Sequence, residues 1–150
     1  MKKLIDLYPY KIINGKPAFL LLKRSAGKIY ANQWRMIGGK VHDNETYWQA
    51  ALRELGEETG HRPVKFWAVP TINQFYEATN DQIHQIPAFA AELNSAMEII
   101  LDEEHSESEW IYHHEADLYL HWPEQIRIIG LIHQLIISNK ILPDWIISTD

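Results

Sequence analysis

The chain has 150 residues, 46% hydrophobic and 23% charged, which suits one globular domain over residues 1–150 and excludes disordered and collagen-like chains. Lys and Arg number 14 against 20 Asp and Glu, a net charge of −6, so no cationic field is available to hold a nucleic-acid polymer. With no cysteine, thiolate metal sites and thiol nucleophiles are excluded, and any metal must take oxygen or imidazole ligands.

The first elements read as a hairpin. Leu7–Ile13 and the apolar run Ala18–Lys23 flank the turn pair Asn14-Gly15. Asp6 breaks the apolar run after Met1-Lys2-Lys3 too early for a secretory leader. Residues 25–33 read as loop. Trp34–Ile37 reads as a short strand ending at Gly38-Gly39, where a glycine lets backbone approach a ligand or take positive φ.

Thr46–Thr59 carries the strongest helix pattern. Thr46 and Gln49 fit a capping box, and Gly60 fits the stop. Trp48, Ala51, Leu52 and Leu55 form one apolar stripe at i, i+3, i+4 and i+7. Strand-like runs follow at residues 64–69, 73–78 and 86–93, with a short one at 110–112. Pro123 opens a second helix to about Ser138, with Ile126, Ile129, Ile132 (or His133) and Ile136 as its expected buried face. The stretch 126–147 is interrupted by Arg127, His133, Lys140 and Asp144, so no membrane span is expected and the default location is cytoplasmic. This order predicts an α+β fold, a mixed sheet with packed helices. No His pair has the helical spacing of a zinc site, and His113-His114 reads as surface.

The first helix also bears Glu54, Glu57 and Glu58, within about 100° of one another and apart from the apolar stripe. Like charges so placed repel by a few tenths of a kcal/mol per pair. A solvated glutamate face has this pattern; so does a face that holds a hard divalent cation such as Mg²⁺, which takes oxygen ligands and substrate phosphates.

The wider spacing separates those readings. Gly39, five residues, Glu45, seven residues, then Arg53-Glu54-Leu55-Gly56-Glu57-Glu58-Thr59-Gly60 resembles the Nudix box, over residues 39–60. All seven fixed identities are present, a coincidence on the order of 10⁻⁸ per start position. One position departs: His61 stands where an apolar residue is expected, which touches loop packing more than chemistry.

The resemblance implies an α/β/α sandwich with a mixed β-sheet and helices on both faces. It implies a Mg²⁺ (or Mn²⁺) hydrolase that cleaves a nucleoside diphosphate linked to another moiety, by water attack at phosphorus. Glu54, Glu57 and Glu58 match the metal-ligand positions. Glu57 or a nearby carboxylate matches the base, and Arg53 and Glu45 match positions that hold the loop. Gly38 and Gly39 are expected beside substrate.

Two further segments bear on substrate. Leu20-Leu21-Leu22-Lys23-Arg24 resembles the strand before the box in the branch that hydrolyses nucleoside and dihydroneopterin triphosphates. Arg24 matches its phosphate-contacting arginine, although a solvated strand end has the same residues. Glu104-His105 with Trp110 resembles a Glu-His…Trp segment of that branch, shared with diadenosine tetraphosphate hydrolases, in which the glutamate joins the metal shell or takes the water's proton. Trp34, Phe75, Tyr76 and Trp110 are candidates to stack on a base or pterin. The expected reaction is cleavage of a nucleoside or pterin triphosphate to monophosphate and pyrophosphate, by a monomer or homodimer. The alternatives are a dinucleoside polyphosphate hydrolase and a non-catalytic ligand-binding domain, the latter disfavoured by the intact carboxylates.

Overall fold

A computed structural model describes residues 2–149; Met1 and Asp150, the ends of the expected domain, lie outside the described residues. The elements run β1 (Leu4–Ile13), β2 (Lys16–Arg24), β3 (Trp34–Arg35), β4 (Ile37–Lys40), α1 (Tyr47–Thr59), β5 (Lys65–Glu77), β6 (Gln82–Glu92), β7 (His105–Ile111), α2 (Ala116–Tyr119) and α3 (Pro123–Ile137). Seven strands form one sheet in the order β3-β2-β1-β6-β5, with β4 also on β1 and β7 also on β2. Only β1 and β6 pair in parallel; the other pairs are antiparallel, so the sheet is mixed.

The period-two alternation of β1 and β2 serves two cores. Ile5, Leu7, Leu20 and Leu22 face Ala50, Ala51 and Leu55 of α1. Tyr8, Tyr10, Phe19 and Leu21 face Ile128, Ile129 and Ile132 of α3. Strands covered on both sides must be apolar on both, which is why Ala18–Leu22 is a continuous buried run. The expected sandwich with helices on both faces is therefore the observed one.

Local signals placed the ends well. Asn14 and Gly15 both take positive φ in the turn of the first hairpin. Thr46 accepts from the Gln49 N–H while the Gln49 side chain accepts from the Thr46 N–H, and Gly60 closes α1 at φ 77°.

Non-local pairing changed the rest. The expected strand 34–37 is two strands, because the chain leaves β2 and joins β1 across Met36, and both glycines lie inside β4. The expected strands 64–69 and 73–78 are one, β5; Pro70 sits in a register shift between Ala68 and Ile72, where its missing N–H breaks no ladder bond. The strand expected at 110–112 begins at His105, paired with β2. The buried face of α3 is Ile128, Ile129, Ile132 and His133, with Ile126 and Ile136 only partly covered. That stripe is rotated because a 3₁₀ turn at His113–Glu115 and α2 cover the flank that His133 faces.

Candidate active site

The loop from Lys40 to α1 is held by one arginine. Arg53 donates to both oxygens of Glu45, at 2.7 and 3.1 Å, and to the carbonyl of Lys40 at 2.9 Å. The same guanidinium reaches Glu54 at 2.9 Å and Glu57 at 3.3 Å. The forked pair, with the His42 N–H, holds the Glu45 carboxyl down to about 2. Glu45 and Arg53 thus orient the helix against its loop.

Of the two uses expected of these glycines, positive φ is not the one adopted. Neither Gly38 nor Gly39 takes positive φ. A Cβ on Gly39 would meet the Glu54 side chain at 2.5–2.7 Å, so this glycine makes room for a carboxylate. At Gly38 the nearest atoms would stand 3.6 Å or more away, an ordinary contact. We predict that Gly39→Ala displaces Glu54 and lowers turnover roughly 10²-fold. Because Glu54 is a flexible side chain, melting should change little, and Gly38→Ala should be milder on both measurements.

The three glutamates do not all face outward, as helical spacing alone suggests. Glu57 is exposed; Glu54 is mostly covered; Glu58 is 6% exposed. Glu58 lies under the segment 100–105, which is pinned to α1 by the Ile100 N–H donating to the Thr59 carbonyl. There the Glu58 Oε1 stands 3.4 Å from Nε2 of His105, whose Nδ1 is 2.7 Å from Asp102. Glu58, Asp102 and His105 each offer a ligand atom within 4.8 Å of the others. Burial, then the charges of Glu54, Asp102 and Glu104, push the Glu58 carboxyl well above the carboxylate range. Its Oε2 is buried without a hydrogen-bond partner.

That orphaned oxygen tests the metal reading on the chain's own atoms. A buried carboxylate among three other acids needs a cation, or failing that a proton, to offset its charge. Oxygen donors with one imidazole suit a hard or borderline divalent ion. Asp102 is absent from the sequence reading, which singles out the Glu104-His105 pair in this run and gives a role only to Glu104. The signal was available as Asp-x-x-His at the start of a strand.

Glu104 and Arg24 come together at 3.4 Å across the bulge where β7 meets the end of β2, the glutamate exposed and the arginine side chain mostly covered. The Ser25 N–H and hydroxyl donate to the carbonyls of Glu104 and Glu103, fixing this turn. Arg24 also donates to Ile29 O.

A second polar cluster lies beside Gly38 on the opposite face of the sheet. Asp6 pairs with Gly38 in the ladder and is buried, which pushes its carboxyl up to about 6. Asn73 donates to it at 2.8 Å, while Asn73 Oδ1 and the Tyr8 hydroxyl are buried without partners. Phe75, two residues on and so on the same face of β5, meets Trp122 edge-on at 5.0 Å. The other aromatic candidates are otherwise engaged: Trp34 against Tyr119, Tyr76 bonded to Asp81, and Trp110 under Lys11.

The NUDIX domain family model matches residues 10–132. The nucleoside triphosphatase NudI of Enterobacter sp. (strain 638) is 29% identical over 108 residues, covering 67% of this chain and 77% of that one. The crystal structure of a C. elegans Ap4A hydrolase binary complex superimposes with a TM-score of 0.75 at 22% identity, over 92% of this chain and 99% of that chain. The solution structure of the E. coli ORF135 protein does so with a TM-score of 0.68 at 25% identity, over 95% and 96% of the two chains. Among the described residues no helix is long and apolar enough to cross a membrane.

Proposed function

The chain belongs to the NUDIX family and is a Nudix hydrolase, and from that premise we propose that it converts a nucleoside or pterin triphosphate to monophosphate and pyrophosphate with Mg²⁺ (or Mn²⁺). The observation that carries the reading is the buried, unpartnered oxygen of Glu58 among Glu54, Asp102, Glu104 and His105. These residues, with Glu57, are the ones to hold the metal. When bound, a divalent ion offsets phosphate charge, polarises the phosphoryl oxygen and lowers the pKa of its water.

The chain's own groups supply the remainder. Arg53 fixes Glu54 and Glu57 while tying the loop through Glu45. Arg24, mostly covered and paired with the exposed Glu104, takes a substrate phosphate in place of that carboxylate. Glu104, on a loop separate from α1, takes the water's proton; a base from another element can approach the attacking water from its far side. The unpartnered Asn73 and Tyr8 groups beside Asp6 suit the hydrogen-bonding edge of a base or pterin, with Phe75 as an aromatic wall. The domain 1–150 is read as a single catalytic unit acting on a small molecule, as monomer or homodimer.

The likeness to a nucleoside triphosphatase supports the triphosphate over the dinucleoside polyphosphate reading, which the Glu104-His105…Trp110 segment keeps open. The test is kcat/KM for a panel of nucleoside triphosphates, a pterin triphosphate and diadenosine tetraphosphate. A triphosphate should lead; preference for the dinucleoside would reverse the assignment. In the same assay Arg24→Ala should raise KM for the best triphosphate roughly ten- to hundredfold, the worth of a charged hydrogen bond. An unchanged KM would return Arg24 to the solvated surface.

A further inference from the structure

We propose a second ligand site, for a small organic phosphate, in the cavity between the Asn14-Gly15 turn and α3. The cavity holds about 790 Å³, within the range that binds small molecules. It is remote from the box. β1 meets β4 at Leu4 and reaches the cavity at Ile13, roughly 30 Å away along the strand, and α3 covers the face of the sheet opposite α1.

The wall of this cavity is built from unpaired nitrogen. His113 and His133 stack with ring centroids 3.6 Å apart and planes 22° from parallel. His133 is 7% exposed. The Nδ1 atoms of both rings are buried without partners. A buried N–H without an acceptor costs more than a buried lone pair, so each ring keeps its proton on Nε2. Neither Nε2 is among the buried orphans, and both residues line the cavity. Burial, His114 or the partner histidine, and Lys16 lower both pKa values, so the rings are neutral donors at neutral pH.

Both stacked imidazoles and Lys16 line one space, and no carboxylate lines it. In a chain of net charge −6 this is an exception that matches an oxyanion. The stacking argues against a shared metal: rings at 3.6 Å cannot splay to two corners of a tetrahedron. Ile13, Tyr112 and Ile137 complete the wall with apolar surface for an organic group. The expectation that His113 is plain surface is thus corrected: it is half-buried against His133.

The test is proton NMR of the histidine side chains in the whole chain, with chelator present so that no metal-dependent binding occurs at the box. Phenyl phosphate should shift the His113 and His133 signals saturably, and inorganic phosphate should do so with weaker affinity. Lys16→Ala should weaken phenyl phosphate binding roughly ten- to hundredfold. Glu58→Gln should leave that binding intact, which separates this site from the box. Signals that move with neither probe would overturn the proposal. Equal affinity in Lys16→Ala, no gain from the phenyl group, or loss of binding in Glu58→Gln would do so as well.

Discussion

Glu58→Gln should abolish most metal-dependent turnover and at the same time stabilise the metal-free chain. The two effects have one cause. Glu58 is buried beside Glu54, Asp102 and Glu104, so its charge is tolerated only with a cation present. Gln keeps the shape and removes the charge. Loss of a metal ligand and of its electrostatic role should lower kcat by roughly 10²–10⁴-fold. The stability effect has a definite sign with pH. The folded-state pKa of Glu58 is raised above its ordinary 4.5. Between those two values the folded chain retains a proton that the unfolded chain has released, so metal-free stability falls as pH rises through the window. The Gln variant should lack that fall, and above the window it should melt higher than wild type. Thermal melts across pH, with and without Mg²⁺, read both effects: Mg²⁺ should raise the wild-type midpoint and leave the variant's nearly unchanged. Equal stabilisation of both by Mg²⁺ would remove Glu58 from the metal shell.

Glu104→Gln should lower kcat by roughly 10²–10⁴-fold, the usual worth of a positioned acid–base group, with a small change in KM. Glu103→Gln is the internal control. Both residues are exposed on the same turn, and Ser25 holds both of their carbonyls. Only Glu104 meets Arg24 and contributes to the field at Glu58. Equal losses at the two positions would point to a general effect of charge in the turn. No loss at Glu104 would move the base to another carboxylate, Glu57 first. A pH–rate profile separates a base from a ligand: removing the base flattens the acidic limb, while weakening a ligand is offset by more metal.

What the sequence disclosed depends on range. The ends of α1 were legible because Thr46, Gln49 and Gly60 act within one turn of the groups they satisfy. The hairpin at Asn14-Gly15 was legible for the same reason. The box carried Arg53, Glu54, Glu57 and Glu58 by spacing, and the fixed period of a helix turns spacing into position. It did not carry their burial. Helical geometry alone set Glu58 on an outer face, yet a segment more than forty residues on folds over it and brings Asp102 and His105. Arg24 and Glu104 were each legible as residues, but their contact depends on β2–β7 pairing and its bulge. Gly39 was legible as a close-approach glycine, but the side chain it admits, Glu54, lies fifteen positions later and the contact depends on how α1 packs on β4. Asp6 and Asn73 left no local signature, because the bond between them joins strands that only the finished sheet brings together.

The most direct measurement incubates the chain with a nucleoside triphosphate, with Mg²⁺ or with chelator, and identifies the products by chromatography. Nucleoside monophosphate and pyrophosphate in equal amounts, formed only with the metal, is the result this account predicts. Stepwise release of orthophosphate, or turnover unaffected by chelator, would contradict it.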